Sequence, residues 1–378
     1  MDARLREQRL EFCRLVAEWY LNNQCTESRP WGPSNSADLG RFMYQYCPSS
    51  KEWRGSSVWG HATGGMALLA LSERFEHSVL GSDIAAPCRE AAISAGGYMM
   101  GLQILDQRNT DFCGAFRQSH PQSTGGNPRD GATGCMGLCA LYRYTKDEEC
   151  LYRAKLFADW YIRVAMKPDQ WPCYTYHYNQ RGADIRKPAL WQVGGALALY
   201  YLYRLTGEER YIEEGMRPMM DRVKRDFEPS NPSGNDDFAS TAAMAACMAY
   251  DDPELVEWVR AQMASSVAAQ EPDGAVGGLD GTPVLGLNAL NFMGFIEAKG
   301  LPDDPEPYRE AVEKAAQFLP SLQETCPDDL RAYGGLYGQT RYGVSRRLIH
   351  HRPAGYALLF MLRVEGGVEP AGYNVFGW

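Results

Sequence analysis

The chain has 378 residues, 45% of them hydrophobic and 22% charged, with a net charge of -9. That balance gives a globular protein with a large core and argues against a nucleic-acid scaffold, which needs clustered positive charge. No run of roughly 18 uninterrupted apolar residues occurs, so no bilayer-spanning helix is expected.

The first predicted element begins near Arg4 as an amphipathic helix with Phe12, Val16, Trp19 and Tyr20 on one face. Its charged start lacks the apolar stretch of a signal peptide, which predicts a cytoplasmic protein. A loop bearing Trp53, Arg54, Trp59 and His61 follows, and then a helix of another kind, GHATGGMALLALSERF from Gly60. That segment is apolar nearly all round and rich in Gly and Ala, so it must be buried on every side.

The same alternation continues along the chain. Amphipathic helices are expected to start near Asp83, Asp147, Gly207, Pro253 and Pro305. Buried, small-residue helices are expected from Asp130 (DGATGCMGLCALYRY), Leu190 (LWQVGGALALYYLYRL), Asp236, Leu285 and Pro353. Thr145 with Glu148, and Thr206 with Glu209, have the spacing of a capping box. Asp252-Pro253-Glu254 and Asp304-Pro305-Glu306 place a cap, a first-turn proline and an acid in order. Six amphipathic and six buried helices bury a continuous core only by stacking on their neighbours. The expected fold is therefore all-α, a single domain over residues 1–378 closed as an (α/α)6 toroid, with an open solenoid as the alternative.

In such a toroid the loops entering the buried helices converge on one face, where a site is to be sought. These loops carry Asp111, Arg117, His120, Asp130, Trp171, Tyr174, Tyr176, His177, Arg181, Trp191, Asp236, Asp237, Tyr337, Arg341, Tyr342, Arg346, His350 and His351. Aromatic faces stack on the apolar faces of a sugar, carboxylates accept its hydroxyls, and Arg pairs with a carboxylate such as that of a uronic acid. Each residue has a plainer reading beside this one. Asp130 and Asp237 are in place to cap helices, His61 and His177 to be structural histidines, Trp59 and Trp191 to fill the core, and Arg117 and Arg341 to brace loops.

The 11 cysteines form no C-x-x-C pair, and Cys135, Cys139 and Cys247 lie among small apolar residues as reduced core thiols. No cofactor or metal is expected; the alternative is zinc held by Cys113, Cys135 or Cys173 with a His.

From Asp130 to about Tyr250 the chain resembles the unsaturated glucuronyl hydrolases and related six-hairpin glycosidases. An Asp opens a buried helix (RDGATG), an aromatic hairpin carries a His (WPCYTYHYNQRG), a Trp leads the next buried helix, TGEERY starts an outer helix, and NDDFAS opens the next. The resemblance implies that Asp130 is the general acid/base. It also implies a second essential Asp in the preceding buried-helix loop. Here that loop reads VWGHATGG, without a carboxylate, and Asp111 from a neighbouring loop is the candidate to take its place.

The expected function is glycoside hydrolysis of a uronate-bearing oligosaccharide. Asp130 and Asp111 would do the chemistry, with Trp59, His61, Arg117, Trp191, Asp237 and Arg341 binding substrate. The alternatives are a lyase working through Tyr174, Tyr176, His177 and Arg117, an epimerase using two histidines such as His61 with His177 or His350, a non-sugar cyclase, and a binding protein. The expected partner is a small-molecule or oligosaccharide substrate, with no nucleic acid or membrane. The apolar tail AGYNVFGW is expected to dock on its own domain or on a second subunit.

Overall fold

The computed structural model describes residues 3–28, 38–75, 82–166, 170–229, 238–340 and 343–366. Twelve α-helices are found among them: α1 (Ala3–Asn23), α2 (Val58–Phe75), α3 (Ser82–Gly101), α4 (Pro128–Thr145), α5 (Glu148–Trp160), α6 (Ala196–Thr206), α7 (Arg217–Asp226), α8 (Ala239–Ala249), α9 (Pro253–Ala268), α10 (Gly281–Lys299), α11 (Glu306–Phe318) and α12 (His351–Gly366). The even-numbered helices are the apolar, small-residue segments. They pack in order around a ring: α2 on α4, α4 on α6, α6 on α8, α8 on α10, α10 on α12, and α12 back on α2. This closure makes the fold an (α/α)6 toroid rather than an open solenoid.

Small residues permit the ring. A side chain at Gly137 would meet the Cβ of Ala62 at 2.9 Å, so α4 and α2 approach closely only because that position is bare. The odd-numbered helices form the outer layer. α3, α5, α9 and α11 each pack on the inner helix before them, and α1 packs on α12, so the two ends of the chain meet.

The outer layer is tied together by a recurring clamp. Gln24, just after α1, donates to the carbonyls of Gly40 and Ala91 at 3.0 and 2.8 Å. Gln103, after α3, does the same to Gly114 and Arg153, and Gln270, after α9, to Gly274 and Ala311. Gln323, after α11, reaches Gly334 and Phe12, each at 3.2 Å, and so closes the outer ring onto α1. In each case one amide spans from the end of an outer helix to the backbone of the next one around the ring. Tryptophans act alongside: Trp19, Trp160 and Trp258 donate to the carbonyls of Arg331, Asp111 and Phe227. Gly334 shows why the clamp loop needs glycine. Its φ is +82°, and a Cβ there would lie 2.0 Å from the Leu15 carbonyl oxygen.

The helix starts differ in detail from the sequence expectation. Thr145 does not cap α5. Its hydroxyl bonds back to the Leu141 carbonyl and accepts from the Asp147 amide, and Asp147 makes the cap to Glu149. Thr206 behaves in the same way, bonding Leu202 and Glu208. In both, the threonine at the helix end back-bonds to its own helix, and only after Thr145 does a later acid, Asp147, take over the cap. Asp252 caps α9 through Leu255, as its spacing suggests.

The loops entering the inner helices fold into two small antiparallel sheets. One has the order β2-β1-β7-β6, from β1 (Gln45–Cys47), β2 (Glu52–Arg54), β6 (Tyr337–Thr340) and β7 (Gly343–His350). Gln45 pairs with His350 across it. The other has the order β3-β4-β5, from β3 (Gly125–Gly126), β4 (Thr175–His177) and β5 (Gly182–Asp184).

Candidate active site

Asn127, not Asp130, caps α4: its side chain accepts from the backbone of Arg129 and Asp130, and Pro128 opens the helix. Asp130 is the third residue of α4, where a carboxylate favours the helix dipole without being consumed as the cap. It is half-buried, and the side-chain amide of Gln118 donates to its Oδ2. The other end of that amide, Gln118 Oε1, accepts the Asn127 N–H at 2.8 Å. Gln118 also accepts the Val58 N–H on its own carbonyl at 2.9 Å, so one residue links the starts of α2 and α4.

On the far side of Asp130, the buried Arg129 donates to the Thr133 hydroxyl at 2.6 Å and to the Trp191 carbonyl at 3.3 Å. This fixes the 3-10 turn Leu190–Gly195 that leads into α6. Trp191 is half-buried and meets Tyr174 edge-on at 5.8 Å, and Arg186 lies over the Tyr174 ring at 3.9 Å. The entrances of α4 and α6, which carry Asp130 and Trp191, are thus tied to each other, with Tyr174 packed on Trp191.

The entrances of α2, α10 and α12 make a wall. Trp59 is buried, donates to the Tyr356 hydroxyl at 2.7 Å, and carries the Arg352 guanidinium over its ring at 4.1 Å. Arg352 also donates to Asp280, which holds the N-cap position of α10 but turns its carboxylate to the arginine instead of the helix. His350 is buried at the same entrance. Gln45 bonds its Nδ1 at 3.2 Å, and burial, then the Arg352 charge, lowers its pKa to about 4. It is a neutral imidazole at pH 7.

Other expected site residues lie elsewhere. His61 is buried under the loop: it accepts the Phe42 N–H on Nδ1 and meets Tyr98 edge-on at 4.7 Å. Burial lowers its pKa to about 3, with the Arg41 charge second. Arg117 braces its own loop by donating to the Ser123 carbonyl at 3.0 Å and lying over Tyr178. Asp111 is exposed, and its carbonyl serves Trp160. His177 lines a cavity on the β3-β4 side, described below. Asp237, Arg341, Asp236, Tyr342 and the tail AGYNVFGW lie outside the described residues.

Asp280, Arg352, Gln118 and Arg129 were not singled out from the sequence. The Asp-Gly-Thr-Pro run at 280–283 is a helix-start signal that marks Asp280; Gln118 has no local signal, because the folding of the loop before α4 brings Asn127 and Asp130 back to it. Among the described residues no three His, Cys, Asp or Glu side chains gather as a metal site. No described helix is long and apolar enough to cross a membrane.

No protein-family model matches the chain, and no curated protein does. Solved structures do. Cellobiose 2-epimerase from Bacillus thermoamylovorans superposes with a TM-score of 0.69 at 14% identity, covering 96% of this chain and 99% of that one. An unsaturated glucuronyl hydrolase from a Bacillus species gives 0.65 at 14% identity, over 97% and 98%. A family 76 glycoside hydrolase (mannosidase) from Bacteroides thetaiotaomicron gives 0.62 at 12%, over 95% and 98%. These carbohydrate-active enzymes share the toroid with this chain along nearly its whole length.

Proposed function

We propose that this protein is a sugar-processing enzyme that hydrates a terminal unsaturated uronate on an oligosaccharide and so releases the sugar attached to it. The observation that carries the reading is Asp130: a half-buried carboxylate at an inner-helix entrance, held by Gln118, in the turn whose Arg129 is bonded to the Trp191 carbonyl. Two of the fold neighbours reported above hydrolyse glycosides and one epimerises a sugar, so the scaffold is compatible with either chemistry.

Ordinary glycosidases need two carboxyls roughly 5–10 Å apart around the bond. Asp280 is a second carboxylate at an inner-helix entrance, but it is held in its ion pair with Arg352. Hydration of an enol ether needs only one such group. The protonated Asp130 gives its proton to C4 of the C4=C5 bond, leaving a cation at C5 shared with the ring oxygen. Water adds at C5 as Asp130 takes a proton back. The resulting hemiketal opens and expels the attached sugar as an alcohol, so one water is consumed and Asp130 is regenerated. We assign the substrate carboxylate to Arg352, whose guanidinium lies over Trp59 at an inner-helix entrance and stays partly exposed.

A second reading is epimerisation, favoured by His350. His350 holds its imidazole at the entrance of α12 beside Arg352, and α12 is separated from α4 only by α2. Product mass after incubation with unsaturated uronate disaccharides separates the two. Gain of one water and cleavage support hydration; unchanged mass with a new diastereomer moves the chemistry to His350; no product at all overturns both.

A further inference from the structure

A cavity of about 560 Å³ opens between the loop that precedes α4 and strand β4. It is distinct from the Trp59–Arg352 wall but adjoins Asp130, because Gln118 forms part of its lining and donates to that carboxylate. The lining includes Gln118, His120, Gln122, Ser123, Tyr174 and His177, and among all its residues there is no carboxylate, ammonium or guanidinium group. Most of these side chains can both donate and accept hydrogen bonds.

The cavity is built rather than left over. β3 is Gly125–Gly126, and a Cβ at Gly125 would stand 2.9 Å from the Tyr176 carbonyl oxygen and 3.5 Å from His177 Nδ1. The bare strand therefore leaves the imidazole of His177 uncovered on that side. Ser123 Oγ accepts the N–H groups of Ser119 and His120 at 3.3 and 3.1 Å, and His120 Nδ1 is bonded to Gln122 Oε1 at 3.2 Å, which sets the rim.

We infer that this cavity is the subsite for the sugar that is released, and that it takes an uncharged, hydroxyl-rich unit in preference to a sulfated or carboxylated one. Hydroxyls find donors and acceptors on every side. An anionic substituent entering the same space would meet no fixed counter-charge among the lining side chains. The role as leaving-sugar subsite rests on the hydration reading; the preference for a neutral sugar rests on the lining alone.

The test is binding, read without turnover. Methyl β-glucoside and its 6-sulfate are titrated into the full-length Asp130→Asn variant while the imidazole C–H signals of His177 and His120 are followed by NMR. The expected result is saturable shifts of both histidines with the neutral glycoside and at least tenfold weaker binding of the sulfate. His177→Ala and, separately, the exposed-rim change Gln122→Ala should each weaken the glycoside by about threefold or more. Equal or tighter binding of the sulfate, or no histidine shift with either sugar, overturns the inference. If the shifts appear while the wild-type enzyme fails on every unsaturated uronate, the neutral-sugar site stands and the hydration reading falls.

Discussion

Gln118 holds Asp130 by donating from one end of its amide while the other end is fixed by the Asn127 N–H. A glutamine anchored at Oε1 cannot rotate, so the carboxylate is presented in a single orientation to the face where the inner helices begin. Removing that support by Gln118→Ala should lower kcat by about 10- to 100-fold, the scale of a hydrogen bond to a charged group. KM should change much less, and Gln118→Glu should not restore kcat, because a carboxylate cannot donate. Steady-state kinetics on an unsaturated disaccharide checks both points.

The Asp280–Arg352 pair should matter to stability as well as to the site. Asp280 is almost fully buried and Arg352 is about a quarter exposed, with side-chain accessibilities of 6% and 23%. Asp280→Ala leaves a guanidinium over Trp59 without its carboxylate. A loss of about 3 kcal/mol is expected by denaturant titration, at the low end for breaking a buried pair because Arg352 keeps some access to water. Arg352→Lys, which loses the planar stack on Trp59, should raise KM for uronate substrates more than it lowers kcat.

The clamp that closes the outer ring makes a separate prediction. Gln323→Leu deprives the Phe12 and Gly334 carbonyls of their shared donor and should cost about 1–2 kcal/mol. Gly334→Ala should cost more, since the positive φ and the 2.0 Å approach to Leu15 both resist a side chain. Thermal unfolding of the two variants, with Gln103→Leu as the equivalent change elsewhere in the ring, orders these effects.

Acid should destabilise the fold through its histidines. Burial lowers the pKa of His350 to about 4 and of His61 to about 3, and that of the fully buried His351 well below its usual value. The unfolded chain takes up these protons near pH 6.5, so between pH 6.5 and about 4 it binds more protons than the folded one. Stability is then fully present above pH 6.5 and falls as the pH drops toward 4. Replacing His61 by Gln should flatten that slope between pH 6.5 and 5, as measured by urea midpoints.

The fold was legible because burial has a period. Apolar-all-round segments such as LWQVGGALALYYLYRL alternate with one-sided ones, which calls for a double layer, while its closure into a ring shows only in the packing of α12 on α2. Asp130 was legible as an acid at a buried-helix start. What stayed hidden depends on residues far apart in sequence. β1 pairs with β7 some three hundred residues away, and strands this short carry no local pattern. His61 looked like a site residue because it stands in an aromatic stretch, but it falls in the first turn of α2, where Phe42 and Tyr98 pack on it and bury it. Arg117 looked available for an anion until the turn at Ser123 closed on it.

The most direct test of the central claim is the ultraviolet absorbance of the conjugated uronate, followed with purified enzyme and an unsaturated glucuronyl disaccharide. Hydration through Asp130 requires the band to fall with wild-type protein and with His350→Gln, and to hold steady with Asp130→Asn at unchanged folded stability. A band that falls equally with Asp130→Asn, or that does not fall with the wild type, contradicts it.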